Sequence, residues 1–226
     1  MNPSRRAVLS AGALVAFAGC SSTGSDTDGA DDTEEPAGGS GDEDPAERRT
    51  SDHGAEPPVL GDPDADVTME VYEDFTCPGC QQFKAQIFPE IEFRYLDPGE
   101  IRYEHRDFPF GGDRAHEVAN SAREVFETEG SEAFFAYAAA VYDHQGEYDL
   151  STYESVADDL GFDGAAVREA AAERLHQDAI DEDRLRADDF DVSGTPQLVV
   201  NGRLYRFGDG VGPMELIESA IEDASE

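Results

Sequence analysis

Two cysteines at the junction of a strand and a helix constrain this chain more than any other feature. Residues 67–75 alternate in polarity and are rich in β-branched and aromatic side chains, which predicts a strand. From residue 81 to 96 the apolar side chains recur at helical spacing, and Pro89 predicts a kink or break within that helix. Cys77 and Cys80 therefore lie where the strand ends and the helix begins.

This placement favours thiol chemistry. The free N–H groups and the dipole at a helix N-terminus stabilise negative charge, so a thiolate forms there readily. Cys77 is nearest the loop and is the predicted nucleophile. Cys80 lies one turn further into the helix, close enough to attack a mixed disulfide at Cys77 and release the partner. The Cys77–Cys80 disulfide would itself be the redox group, and no soluble cofactor is implied.

The remaining pattern predicts the order β-α-β, a block of helices, and then β-β-α. The predicted strands cover residues 67–75, 101–106, 197–200 and 203–207, and Asn201-Gly202 predicts a tight type I′ hairpin turn between the last two. The predicted helices of the block cover residues 115–128, 131–142, 152–160 and 164–188. Ser151 and Asp163 are the predicted N-caps, and a helix over 213–223 closes the chain.

The N-terminal residues read as targeting and tether segments. In residues 1–20 the pair Arg5-Arg6 precedes an apolar run, which is typical of a twin-arginine export signal. The run ends at Cys20 in a sequence that resembles a lipoprotein box, so we expect lipid attachment at Cys20. Cleavage at an A-x-A site and an uncleaved anchor are the alternatives. Residues 21–56 have almost no large apolar side chain and predict a disordered acidic tether, which leaves residues 57–226 as the globular domain.

The charge balance restricts the partners of the chain. The formal net charge is -36, and Lys84 is the single lysine. Self-repulsion of this size destabilises a fold in dilute salt, whereas in molar salt the Debye length falls to about 3 Å and the repulsion is screened. The composition resembles that of proteins from salt-loving archaea. It argues against nucleic-acid binding, because no basic patch is available.

Three motifs resemble the thioredoxin superfamily, and their order resembles the DsbA type of thiol-disulfide oxidoreductase. The motifs are Glu73-Asp-Phe-Thr-Cys77-Pro-Gly-Cys80, Ile101-Arg-Tyr-Glu-His-Arg-Asp-Phe-Pro109 and Gly194-Thr195-Pro196. The resemblance covers residues 57–226. It implies an α/β, thioredoxin-like fold with an inserted all-helical segment at about 113–190.

The resemblance also implies roles for the loop at Thr195 and Pro196. Their peptide bond should be cis and face the two cysteines, with the Thr195 backbone free to pair with an extended substrate peptide. Pro196 would keep a competing N–H and metal ligands away from the thiols. The sequence departs from the family pattern in two places. Pro78-Gly79 between the cysteines includes no histidine, and Val71 stands where the family has an acid. Glu73 lies on the same strand face as Val71 and is a candidate proton shuttle near Cys80.

Simpler interpretations exist for several of these features. A closed zinc site needs four ligands, and one pair of cysteines supplies two. A structural disulfide is possible, but so small a loop constrains the unfolded chain little. The helical histidines His116, His144 and His176 are typical of surface or satisfied core residues. The cluster Phe134, Phe135 and Tyr137 is typical of a core, and a substrate groove is the alternative. The acidic run 181–183 is typical of a solvated face.

The sequence therefore predicts an exported, lipid-anchored thiol-disulfide oxidoreductase on the outer face of the cell membrane. It would form, isomerise or reduce disulfides in secreted proteins. The expected partners are cysteine-containing exported proteins and a membrane or small-molecule redox partner. The alternative is a non-catalytic metal- or peptide-binding lipoprotein on a thioredoxin fold.

Overall fold

A five-stranded mixed sheet lies at the centre of the computed structural model, which describes residues 55–208 and 210–225. The strands are β1 (Val59–Gly61), β2 (Val67–Glu73), β3 (Ile101–Asp107), β4 (Gln197–Val200) and β5 (Arg203–Arg206). Their order across the sheet is β1-β3-β2-β4-β5, with β2 and β3 parallel and the other pairs antiparallel. The C-terminal end of β2, where the cysteines follow, therefore lies in the middle of the sheet.

Eight α-helices are described around this sheet. They are α1 (Pro78–Gln86), α2 (Phe88–Ile91), α3 (Asp113–Glu129), α4 (Ser131–Tyr142), α5 (Leu150–Leu160), α6 (Gly164–Glu173), α7 (Gln177–Asp189) and α8 (Pro213–Ser225). A short π-helical segment, Glu92–Leu96, continues α2. Helices α3 to α7 follow one another between β3 and β4, so the thioredoxin-like fold with an all-helical insertion is confirmed.

The break expected near Pro89 is confirmed. Helix α1 ends at Gln86, and Pro89 occupies the first turn of α2, where its missing N–H removes no helical hydrogen bond. The hairpin turn is also confirmed. Asn201 and Gly202 have φ values of 46° and 81°, the left-handed pair that a type I′ turn requires, and Val200 pairs with Arg203 across it.

The single helix predicted over 164–188 is wrong, because the chain breaks between α6 and α7. Arg174 adopts a left-handed conformation with φ 54°, which ends α6. The side chain of Asn120 then accepts a hydrogen bond from the His176 N–H at 2.8 Å, just before α7 begins. The predicted cap Asp163 is confirmed, whereas Ser151 is wrong because Asp149 caps α5 through the Thr152 N–H.

Both faces of the sheet are buried. One face packs against α1 and α8 through apolar side chains such as Met69, Val71 and Leu198. On the opposite face Tyr72 and Val199 pack against the end of α7. Phe134 and Tyr137 are fully buried in the helical insertion, as expected of core residues, and Phe135 is half-buried.

A buried ion network joins β3 to the helical insertion, which the sequence did not predict. Asp183, expected on a solvated face, is wholly buried on α7 and bonds to Arg123 and, at 3.0 Å, to Arg106. Arg123 also lies 2.6 Å from Asp107. Arg106 further contacts Glu104 on its own strand at 2.6 Å. Burying these charges costs desolvation, so each needs its partners in place.

The predicted signal, Cys20 and all but the last two residues of the predicted tether lie outside the described residues, so those expectations remain predictions. Within the described part of the chain, Ala55 and Glu56 already contact the domain, since their carbonyls accept hydrogen bonds from Arg106 and Arg123. Of the helices in that part, none is long and apolar enough to cross a membrane.

Candidate active site

The two cysteines occupy unequal positions at the start of α1. Cys77 follows a tight turn, in which its N–H donates to the Asp74 carbonyl at 2.9 Å, and it is the N-cap residue of the helix. Pro78 stands at the first helical position, where its missing N–H removes no helical hydrogen bond. Both thiols are free; Cys77 is half-buried, whereas Cys80 is fully buried. An incoming sulfur can therefore reach Cys77 more easily than Cys80.

The environment makes the acidities of the two thiols very different. The Cys80 thiol lowers the pKa of Cys77 most, and the nearby Thr195 side chain and the N–H groups of Gly79 and Cys80 add to this effect. Together they outweigh partial burial and lower the pKa of Cys77 to about 5. Burial raises the pKa of Cys80 far above its usual value, and its bond to Cys77 and the charge of Glu73 add to this effect. At neutral pH Cys77 is thus a thiolate and Cys80 a thiol.

The loop before β4 faces Cys77. The Thr195–Pro196 peptide bond is cis, as the resemblance implies, and the Cys77 Sγ lies 3.4 Å from the Thr195 carbonyl oxygen. Gly79 approaches this loop closely, because a Cβ there would lie 3.3 Å from Pro196 Cδ and 3.5 Å from the Cys77 Sγ. Since proline has no N–H, Pro196 offers the thiols no backbone hydrogen-bond donor.

Asp74 ties the cysteine turn to the loop that follows β3. One carboxylate oxygen accepts from both the N–H and the hydroxyl of Thr76 at 2.7 Å. The other accepts from the N–H groups of Phe110 and Gly111 at 3.0 and 3.1 Å. The sequence Asp-x-Thr could have indicated such a turn, because Asp side chains commonly bond to backbone two residues ahead.

Residues after α4 support the cysteine turn from the other side. Gln145 donates to the carbonyls of Phe75 and Cys77 at 2.8 and 3.0 Å, and the Tyr148 hydroxyl donates to Phe75 at 3.1 Å. These contacts span about 70 positions of the chain. Local sequence patterns carry no signal for them.

Glu73, the candidate proton shuttle, is a buried carboxylate surrounded by donors. Lys84 lies 2.9 Å from one oxygen, which also accepts from the Tyr103 hydroxyl at 2.9 Å, and the Tyr142 hydroxyl donates to the other at 3.0 Å. Burial alone would raise the pKa of Glu73, but the Lys84 charge and the contact with His105 lower it to about 2. A carboxylate so acidic holds no proton at neutral pH and acts chiefly through its charge, which opposes ionisation of Cys80.

A cavity of about 250 Å³ opens beside the cysteines, on the side of Pro196. Its lining residues are uncharged: Gly79, Gln82, Phe83, Gln86, Ile87, Pro196, Phe207 and Pro213. An uncharged surface stands out on a chain with a net charge of -36. Such a surface suits an extended polypeptide segment with apolar side chains.

The histidines considered in the sequence analysis, and His105, lie in different surroundings. His116 and His176 are half-buried and contact Gln177 and Glu124, and His144 is exposed. His105 is wholly buried on β3. Across residues 55–208 and 210–225, no group of three or more His, Cys, Asp or Glu side chains is placed to hold a metal ion.

Together, the central sheet, the thiol pair at a helix N-terminus and the cis-proline loop define a thioredoxin-like protein. A family model described as thioredoxin matches residues 54–223. The chain therefore belongs to the thioredoxin family, within which it is a DsbA-like protein-disulfide oxidoreductase.

Three known proteins illustrate the relationship. Disulfide bond formation protein D of Bacillus subtilis is 24% identical over 172 residues, which cover 73% of this chain and 77% of that protein. The oxidised crystal structure of BdbD from B. subtilis superposes with a TM-score of 0.67 at 22% identity, covering 74% and 92% of the two chains. A Na⁺/H⁺ antiporter, NhaA 1 of Salinispora arenicola, is 34% identical over 167 residues. That match covers 74% of this chain but spans only 24% of the antiporter.

Proposed function

We propose that this chain is an exported, lipid-anchored oxidant that forms disulfides in secreted proteins through the Cys77–Cys80 pair. The observation that carries the proposal is the asymmetry of the pair, with Cys77 half-buried against Thr195 and Cys80 fully buried. Stabilising the Cys77 thiolate stabilises the reduced form of the pair. A pair whose reduced form is stabilised is a stronger oxidant of other thiols.

The proposed exchange begins with the Cys77–Cys80 disulfide. A thiolate of the substrate protein attacks the Cys77 sulfur, the Cys77–Cys80 bond breaks, and Cys80 leaves as a thiolate that takes up a proton. A second substrate thiolate then attacks the substrate sulfur of the mixed disulfide, and Cys77 leaves as a thiolate. The substrate has lost two electrons and gained a disulfide, and the Cys77–Cys80 pair is reduced.

Three further parts of the proposal concern binding, recycling and anchoring. The uncharged cavity beside Pro196 would hold apolar side chains next to the reacting substrate cysteine, while the Thr195 backbone pairs with the extended segment. A membrane or small-molecule oxidant would return the pair to its disulfide. Lipid attachment at Cys20 would keep the domain at the outer face of the membrane. The B. subtilis relative is named for disulfide bond formation, which supports this direction of exchange.

The equilibrium of the pair with glutathione in molar salt tests the proposal. DsbA-type oxidants have reduction potentials of about -120 mV, and thioredoxin has one of about -270 mV. We expect a value closer to the former, even without a histidine between the cysteines. A value at the thioredoxin end would indicate a reductant, and a disulfide that never equilibrates with glutathione would indicate a structural bridge.

Matched variants separate catalysis from peptide binding. Cys80→Ser should accumulate a mixed disulfide with a disulfide-containing model peptide, because the second thiol that resolves it is absent. Cys77→Ser should form no such adduct, yet bind the same peptide in reduced form as well as the wild type does. If the wild type binds the peptide but exchanges no thiols with it, the non-catalytic peptide-binding alternative is correct.

A further inference from the structure

His105 is a buried histidine placed between two buried carboxylates. Its Nε2 lies 3.2 Å from Asp107, and its Nδ1 lies 3.6 Å from Glu73 Oε1. The Nδ1 atom is buried and has no hydrogen-bond partner among the described residues, and the Glu73 oxygen lies just beyond hydrogen-bond distance from it. The imidazole thus bridges the carboxylate next to the thiols and the carboxylate at the edge of the ion network.

The surroundings of His105 exclude water and connect it to the thiol pair. Its ring contacts those of Phe75 and Phe134, with centroids 5.7 and 4.8 Å apart. Both phenylalanines belong to the same buried cluster as Cys80. Charges interact strongly in such a poorly solvated region, since few water dipoles screen them. A positive charge on His105 should therefore favour ionisation of the thiols.

Several ionisable groups bear on the charge of His105, and they come from five elements and the cysteine turn. They are Glu73 on β2, Tyr103 and Asp107 on β3, Cys77 and Cys80 at the start of α1 with Lys84 further along it, Arg123 on α3 and Tyr142 on α4. Burial opposes a proton on His105, but the hydrogen bond to Asp107 and the nearby Glu73 carboxylate favour one, and the balance raises the pKa of His105. The imidazolium offsets part of the negative charge of Glu73.

We propose that His105 is a positioning residue of the thiol site. Its imidazole lies protonated between the Glu73 and Asp107 carboxylates, and its positive charge favours the thiolate at Cys77. The inference rests on the proposed function, in which Cys77–Cys80 is the redox pair. It extends that function by assigning a positive charge to β3, beside the buried Glu73 carboxylate.

The linkage between the two groups is reciprocal, which gives a test on the wild-type protein. If the His105 charge favours the Cys77 thiolate, then the thiolate must favour the His105 proton by the same factor. The histidine ring signals in NMR spectra report the pKa of His105 in the reduced and in the oxidised protein. We expect a higher value in the reduced protein. Equal values in the two redox forms, or a neutral imidazole in the reduced form at pH 7, would overturn the proposal.

Variants test the same coupling from the side of the thiol. His105→Gln removes the charge and should raise the pKa of Cys77 by about 0.5 to 1 unit. This is the size of pKa shift that one nearby unit charge produces at an effective dielectric constant of about 20. Adding Glu73→Gln removes the charge that was left uncompensated and should return the Cys77 pKa towards the wild-type value. A merely structural role for His105 would give no such rescue.

The alkylation rate of Cys77 as a function of pH, in molar salt, gives its pKa in each variant. The matched control is His116→Gln, which removes a half-buried imidazole on α3 that contacts Gln177 rather than Glu73. An equal change in the control, or no rescue in the double variant, would contradict the inference. Neither alkylation nor NMR requires exchange with a substrate. The role of His105 can therefore fail these tests while the glutathione equilibrium still supports the oxidant. Conversely, the glutathione equilibrium can exclude the oxidant while these tests support the role of His105.

Discussion

Replacing Lys84 by methionine tests how strongly one buried ion pair supports the region beneath the thiols. Lys84 is the only lysine of the chain. Its side chain is 11% exposed, lies 2.9 Å from Glu73, and passes over the ring of Phe88 with the Nζ 4.3 Å from the centroid. Methionine keeps the apolar stem and removes the charge. The substitution therefore changes the electrostatics of Glu73 with little loss of packing.

The magnitude follows from the acidity of Glu73. Its pKa is lowered from 4.5 to about 2 in the fold, and Lys84 is the largest favourable contributor. At about 1.4 kcal/mol per pKa unit this shift stabilises the folded protein by about 3 kcal/mol at neutral pH. A depressed carboxyl pKa contributes stability that is complete above about pH 4.5 and is lost as the pH falls towards 2. We expect Lys84→Met to cost up to about 3 kcal/mol at pH 7, and progressively less below pH 4.5.

Urea unfolding in molar salt at pH 7 and at several values down to pH 2.5 measures this difference. The control is Arg94→Met, which removes exposed ion pairs with Glu90 and Glu218 and should cost much less, because solvent screens such pairs. A loss for Lys84→Met no larger than that of the control would refute the electrostatic reasoning. So would a loss of the same size at every pH, because that pattern would reflect packing.

Further predictions concern stability and its dependence on pH. The pKa of Cys77 falls from 9.0, the value of an unperturbed thiol, to about 5 in the fold. The reduced protein should therefore gain stability relative to Cys77→Ser as the pH rises from 5 to 9. A difference in urea midpoint between the two proteins that stays constant over this pH range would contradict the prediction. Arg123→Met leaves two buried carboxylates short of a partner and should cost about 3–5 kcal/mol, whereas Arg168→Met, at an exposed pair, should cost under about 1 kcal/mol by the same denaturation assay. Tyr142→Phe removes a hydrogen-bond donor to the buried Glu73 carboxylate and should cost about 1.5–3 kcal/mol of stability. The control is Tyr153→Phe, which removes a buried hydroxyl without a partner among the described residues. Equal shifts of the melting temperature in the two variants would count against the hydrogen-bond argument.

Features that depend on neighbouring residues were predictable from the sequence. The strand, the cysteines and the following helix are contiguous, so their relative placement follows from periodicity alone. Asn201-Gly202 specifies its turn because both residues tolerate the left-handed conformation. The cis bond before Pro196 was implied by the family resemblance rather than by any local pattern.

Features that depend on distant partners were not predictable. Arg174 ends α6 although neither glycine nor proline marks the break, because contacts made by Asn120 from another helix stabilise the new start. Asp183 reads as a surface acid because its sequence neighbours are acidic, yet Arg106 and Arg123 reach it from β3 and α3. The three-residue strand β1 is too short to show a period.

The position of the first described residues has a practical consequence for handling the protein. The chain enters the domain at Ala55 and runs into β1, which is one edge strand of the sheet. Phe207, in the wall of the uncharged cavity, follows β5 at the opposite edge. A fluorescent protein or a solid support joined directly at Ala55 would therefore attach at the edge away from that cavity. Immobilisation through that end should leave peptide capture unobstructed, which makes it the natural orientation for surface-based binding measurements.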